Sequence, residues 1–337
     1  MQINKGKLSA SLIAILFGVF TIWQQEMVRY LWMQGKGQLS IMSNTVPIEH
    51  ILKSDTLSAK SRFLLELIPE IKSFAKNTLG LIPDDNYTKY YNQNGKPILW
   101  ALTACPPYSL EAYKWGFPFL GELEYKGFFE KSAGSMELEE LRNQGFDVDL
   151  GEVGAWSTLG ILSDPILSSM LELDTGNFVR LLLHEMTHAT VYIADDGVFN
   201  ENMATFIGDR GAMQFLIQQF GKNSAVVRRY QETLADIELF SEYTVAYSKS
   251  INLLYNSLPA DATIWPIMKQ KSFTAYKNRL YLLPFNHKKR FQKLQESELN
   301  NTFFTGFLMY HNQQDSIQKL IKELHSGNIK EWVESLK

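Results

Sequence analysis

Residues 177–193 read NFVRLLLHEMTHATVYI, and both fold and chemistry turn on this stretch. It contains His184, Glu185, Met186, Thr187 and His188, an H-E-x-x-H pattern. Val179, Leu182, Leu183, Met186 and Val191 recur at helical spacing, which predicts a helix with an apolar lining. Four residues of α-helix advance about 400°, so His184 and His188 fall one turn apart on one face. Two imidazoles placed this way can share one Zn²⁺ at about 2.0–2.1 Å. Glu185, next to the first, reaches a water at the ion's open position rather than the ion itself. A chance match arises in about one in a hundred such chains, and the plain alternative is a pair of core or solvated histidines.

Downstream, residues 199–208 read FNENMATFIG. Asn200 suits a helix N-cap, and Glu201 in the first turn completes a His₂Glu donor set with the fourth position left for water. Asp195 and Asp196 are the alternative third ligands, although a solvated turn with helix-end charges explains them better. The longer H-E-x-x-H-x-x-G-x-x-H pattern fails, because Val191 and Ala194 stand where Gly and His belong.

An H-E-x-x-H followed by an N-E-x-x helix resembles the gluzincin metallopeptidases. Three further segments sharpen the likeness: GELEYKGFFE at 121–130, LRNQGFDVDLGEVGAWSTLGILSDPIL at 141–167 and HEMTHATVYIADDGVFNENMATFIG at 184–208. In this order they resemble the bacterial "putative aminopeptidase" family over residues 28–337. The resemblance implies an α+β zincin-like domain and hydrolysis of a peptide substrate with one zinc ion per chain. The chain departs from that family in lacking a lipoprotein-type Cys near its amino terminus. It departs from other gluzincins at Thr205, where an acid commonly orients a metal-bound imidazole.

Metal-assisted hydrolysis also needs a base and an oxyanion donor. Glu185 is placed to move the water's proton. Tyr310, with His311 as the alternative, is the candidate donor to the developing oxyanion, against a reading in which both rings pack into the core. Ser157, Thr158, Leu159 and Gly160, in the expected strand AWSTL, are candidates for pairing with the substrate backbone. Gly134–Leu138, GSMEL, superficially resembles the G-x-M-E-N element of other aminopeptidases but has Leu in place of Asn. The rival function is a catalytically silent zinc-binding scaffold of the cell envelope.

Outside the motifs, Ser58–Leu79 predicts a helix that Pro69 kinks or divides, and Glu130–Gln144 predicts another. Lys96–Ala104, Trp115–Tyr125, Phe146–Leu150 and Ala155–Leu159 predict strands of a small mixed sheet. From Phe178 onward the pattern is almost entirely helical. At the amino terminus, Lys5 and Lys7 precede an uncharged run, Leu8–Trp23, of a length between a signal sequence and a span. Residues 1–27 are therefore expected to form a signal anchor. They would tie a catalytic domain, 28–337, to a membrane from the extracytoplasmic side, with the lysines inside.

The 337 residues carry 33 Lys plus Arg, 36 Asp plus Glu and 45% hydrophobic residues. That composition suits a globular chain and lacks the basic excess of a nucleic-acid binder. Cys105 is the single cysteine, which excludes an intramolecular disulfide and any cysteine-rich metal site. It reads as an apolar filler, and His287–Arg290 as a solvated basic run.

Overall fold

The computed structural model describes residues 25–337 apart from 56, 84, 118–120 and 154–162. Leu8–Trp23 and the AWSTL segment, with Ser157–Gly160, lie outside the described residues. The chain divides into two units, Met1–Thr45 and Val46–Lys337. The described part of the first is helix α1 (Gln25–Ser43). No helix among the described residues is long and apolar enough to cross a membrane.

The second unit begins with β1 (Val46–Pro47) and α2 (Ile48–Leu52). The helix expected over Ser58–Leu79 is two helices, α3 (Ala59–Glu66) and α4 (Ile68–Leu79). Ser58 caps the first by accepting from the Ser61 N–H at 3.0 Å. Pro69 falls in the first turn of the second, where its missing N–H needs no partner, so the proline divides rather than kinks.

The strands that follow are β2 (Lys89–Tyr91), β3 (Trp100–Cys105), β4 (Trp115–Phe117), β5 (Gly121–Leu123) and β6 (Lys126–Phe128). Helix α5 (Lys131–Asn143) separates them from β7 (Asp147–Glu152) and β8 (Ile166–Leu167). Instead of one mixed sheet they make three small ones among the described residues. β3 sits between β6 and β7, antiparallel to both. β2 pairs antiparallel with β1 and parallel with β8. β4 and β5 form a hairpin. The strands are two to six residues long, and each sheet holds two or three of them among the described residues. Cys105, at the end of β3, is fully buried, and burial pushes its thiol up to about 12, as befits an inert filler.

The helical half comprises α6 (Thr175–Thr190), α7 (Gly197–Phe220), α8 (Ala225–Asn256), α9 (Trp265–Tyr281), α10 (Gln292–Glu296), α11 (Asn301–His311), α12 (Gln314–Leu324) and α13 (Ile329–Leu336). α6 is the innermost. Phe178, Val179, Leu182, Leu183 and Met186 have no exposed surface. No residue of this helix is fully exposed, so the buried polar side chains it carries, Glu185, Thr187 and His188, need partners inside.

α11 is fastened at both ends. At its start the buried Asn301 receives the Tyr255 hydroxyl at 2.6 Å and donates to the carbonyls of Pro106 and Ser109. At its end the fully buried Asn202 of α7 donates to the Met309 carbonyl at 2.7 Å and accepts from the Gln313 N–H at 2.9 Å. Between them, Phe304 packs edge-on to Tyr276 and against Phe273, with ring centroids 5.0 and 5.2 Å apart. Asn202→Leu fills similar space but leaves these backbone groups unpaired. It should cost about 2–4 kcal/mol in a denaturant titration, far more than an exposed Asn→Leu change.

Candidate metal centre

Helices α6 and α7 run antiparallel through a turn at 191–196, and three features set their approach. The Asp174 and Asp196 carboxylates cap their N-termini, accepting from the N–H groups of Asn177 and Phe199, both at 3.0 Å. The expected cap, Asn200, lies inside α7 instead. It is buried and grips the turn, donating to the Ile193 carbonyl at 2.7 Å and accepting from the Ile193 N–H at 2.9 Å. Gly208 lets the helices touch: a Cβ there would lie 3.0 Å from the Arg180 carbonyl and 3.4 Å from His184 Cβ.

This crossing brings His184, His188 and Glu201 together. His184 Nε2 and His188 Nε2 are 3.2 Å apart, and Glu201 Oε2 lies 3.3 Å from the first and 3.4 Å from the second. The three atoms make a nearly equilateral triangle. Vertices of a tetrahedron around an ion bonded at about 2.0–2.1 Å lie about 3.3–3.4 Å apart. Glu201 Oε2 is buried without a hydrogen-bond partner of acceptable geometry. The two imidazole nitrogens are within hydrogen-bond distance of each other, whereas Glu201 Oε2 has no hydrogen-bond partner; three lone-pair-bearing atoms converge on one point, and the donor set fits a divalent cation. Among the described residues it is the only such group of three or more donors.

The electrostatics follow from the packing. Burial would raise the Glu201 carboxyl, but the two imidazoles outweigh it and hold the group well below the usual carboxylate range. Burial likewise opposes charging His188, and the Glu201 and Glu185 carboxylates more than offset it, so its pKa rises. The alternative ligands separate from the triad. Asp196 is the α7 cap, and Asp195 adopts φ 61° beside Gly121.

Glu185 is buried on α6 and outside the donor triangle. Tyr310, at the end of α11, faces the site rather than the core. Its ring stacks on His184 with centroids 6.4 Å apart. Burial, with the Glu201 and Glu185 carboxylates nearby, pushes its hydroxyl well above 10. It therefore stays a hydrogen-bond donor. His311 turns toward α8 instead: its Nδ1 lies 3.3 Å from Ser241 Oγ and its ring stacks on Phe307 at 4.4 Å.

Burial pulls the His311 pKa from 6.5 to about 4. A histidine kept neutral in the fold stabilises it fully above 6.5 and loses that contribution as pH falls toward about 4. Thermal melting of metal-free protein should therefore drop across that window, and His311→Gln should flatten the drop.

Thr205 is buried, and neither its hydroxyl nor His188 Nδ1 has a hydrogen-bond partner among the described residues, so Thr205 does not replace the orienting acid. Glu137, of the GSMEL segment, accepts from Trp115 Nε1 at 2.8 Å and from Lys126 at 2.6 Å, a tie between α5 and the strands. The basic run falls in a 3₁₀ turn, Lys288–Phe291, in which Lys288, Lys289 and Arg290 are exposed and Phe291 packs inward on Phe285.

Sequence reasoning missed Tyr87. It is buried, takes φ 61° and lies near the Glu185 carboxylate, which with burial lifts its hydroxyl well above 10. The segment that holds it, DDNYTKYYNQN, also contains the short strand β2 and offers no periodic signal to mark Tyr87.

Fold and site thus define an α+β protein, mostly helical, whose buried His-His-Glu set is compatible with a metal ion. The chain belongs to the family described as "Putative aminopeptidase", whose model matches residues 29–337. No match is found among curated proteins or among solved structures.

Proposed function

We propose that the protein is a zinc-dependent peptidase that removes residues from the amino terminus of peptides. The observation that carries this reading is the triangle of His184, His188 and Glu201, set beside Glu185 in a buried helix. Two imidazoles and one carboxylate are the donor set of catalytic zinc, which keeps a fourth position open. An ion held by His184, His188 and Glu201 would polarise the scissile carbonyl and make the attacking water more acidic. Glu185 takes the proton from the attacking water and returns it to the leaving amine. Tyr310, kept protonated by its surroundings, donates to the carbonyl oxygen as negative charge grows there. The buried helices around the pair exclude bulk water and strengthen each of these contacts.

Family membership supports the peptidase half of this reading. On the same reading the Leu8–Trp23 segment anchors the chain, and the peptides met are extracytoplasmic. The test is digestion of a mixed peptide library by purified zinc-loaded protein, read by mass spectrometry. Stepwise loss of single N-terminal residues is the expected result. Internal cuts would make the protein an endopeptidase, and bound zinc without any cleavage would favour the scaffold.

A further inference from the structure

The basic run walls a cleft of about 290 Å³ between the end of α9, the 3₁₀ turn and α10. Three ammonium groups line it, those of Lys277, Lys288 and Lys289, against the single carboxylate of Glu296. Lys277 donates to the Ser297 carbonyl at 2.9 Å, and Glu296 accepts from Gln292 Nε2 at 3.0 Å. Lys288 lies over the Tyr281 ring, 5.7 Å from its centroid. None of the three lysines is ion-paired among the described residues. Like charges gathered this way repel, and an anion between them removes the repulsion.

The segment that carries Lys288 and Lys289 is held in place. Asp236 of α8, fully buried, accepts from the Asn286 N–H at 2.7 Å, the Asn286 side-chain amide at 3.0 Å and the His287 N–H at 2.8 Å. Phe285 and Phe291 stack with ring centroids 4.1 Å apart, and Phe291 meets Phe240 of α8 at 4.9 Å. A turn anchored by a buried carboxylate and a ring pair presents its lysines without the ordering cost of a loose loop. A second observation points to the kind of anion. Tyr281, on the lining, is 58% exposed, and its chain neighbour Leu282 is 78% exposed, the most exposed large apolar side chain among the described residues. Apolar side chains beside cations suit the boundary of a bilayer, where acyl chains lie beneath a charged surface. A soluble anion would engage the lysines alone and leave Leu282 in water.

We propose that this cleft binds the headgroup of an anionic lipid. Lys277, Lys288 and Lys289 meet the phosphate, while Tyr281 and Leu282 enter the acyl boundary. The headgroup site goes beyond the peptidase reading and does not rest on it.

The test uses the full-length protein in non-ionic detergent, with an environment-sensitive dye on Leu282→Cys. Cys105 is fully buried, so the label goes to the new thiol. Dihexanoyl phosphatidylglycerol and dihexanoyl phosphatidylcholine, equal in their acyl chains, are titrated separately. The anionic lipid should shift the dye emission to the blue and bind at least about tenfold more tightly than the zwitterionic one. Lys288→Gln and Lys289→Gln should each weaken phosphatidylglycerol binding about fivefold and leave phosphatidylcholine unaffected. Both lysines are exposed and without a carboxylate partner among the described residues, so the fold should survive either change. Equal binding of the two lipids, no change in the dye, or full affinity in both lysine variants overturns the proposal. So does displacement of the lipid by glycerol 1-phosphate at matching concentration, which would make the cleft a site for a soluble phosphate ester. Peptide cleavage by the same preparation is scored separately, and either result there leaves the lipid titration standing.

Discussion

Glu185→Gln should lower peptide hydrolysis by about 10²–10⁴-fold while leaving the metal content of the protein unchanged. The substitution keeps the size and shape of the side chain and removes its ability to take a proton. Glu185 is buried and lies outside the His184–His188–Glu201 triangle, so the substitution keeps all three donor atoms of the candidate site. Metal analysis and kcat are measured on the same preparation. Metal lost in step with activity would make Glu185 a ligand, and unchanged activity would remove it from the chemistry.

Glu201→Ala acts on the other half of the site and should abolish tight zinc binding. It deletes one of three vertices and leaves two imidazoles 3.2 Å apart with no negative charge to offset the ion. The readout is thermal melting with and without added zinc. A ligand at a thousandfold over its Kd stabilises the folded state by about 4.1 kcal/mol, which wild-type protein should show as a clear upward shift. The variant should show almost none. Glu201→Asp should recover part of it, because the carboxylate survives on a shorter arm. An undiminished shift in Glu201→Ala would mean that the ion binds elsewhere.

Much of this site is legible in the sequence because it depends on local periodicity. The i, i+4 spacing of His184 and His188 survives any rearrangement of the rest of the chain, provided the segment is helical. Glu201 is legible as a carboxylate a short turn downstream. The role of Asn200 is not: a short polar residue before a helical run looks like a cap, and only the tertiary crossing reveals that Asp196 caps and Asn200 grips Ile193. Asn202, the neighbouring Asn, looks like any polar helix residue until α11 is seen packed over it. Gly208 and Gly121 likewise have meaning only through what lies opposite them, Arg180 in one case and Asp195 in the other. The helical half is easier to read than the sheets, since long amphipathic helices carry several periods of signal and strands of two or three residues carry almost none. Tyr310 and His311 are adjacent and chemically plausible alike; which one faces the metal centre depends on the rotation of α11, which its anchors at Asn301 and Asn202 set.

The most direct measurement is X-ray absorption at the zinc edge on the full-length chain loaded with one equivalent of zinc. The expected spectrum has two imidazole nitrogens and a carboxylate oxygen at about 2.0–2.1 Å, with one further light-atom ligand. A single-histidine sphere, a sphere of water alone, or failure to take up zinc at one per chain would contradict it.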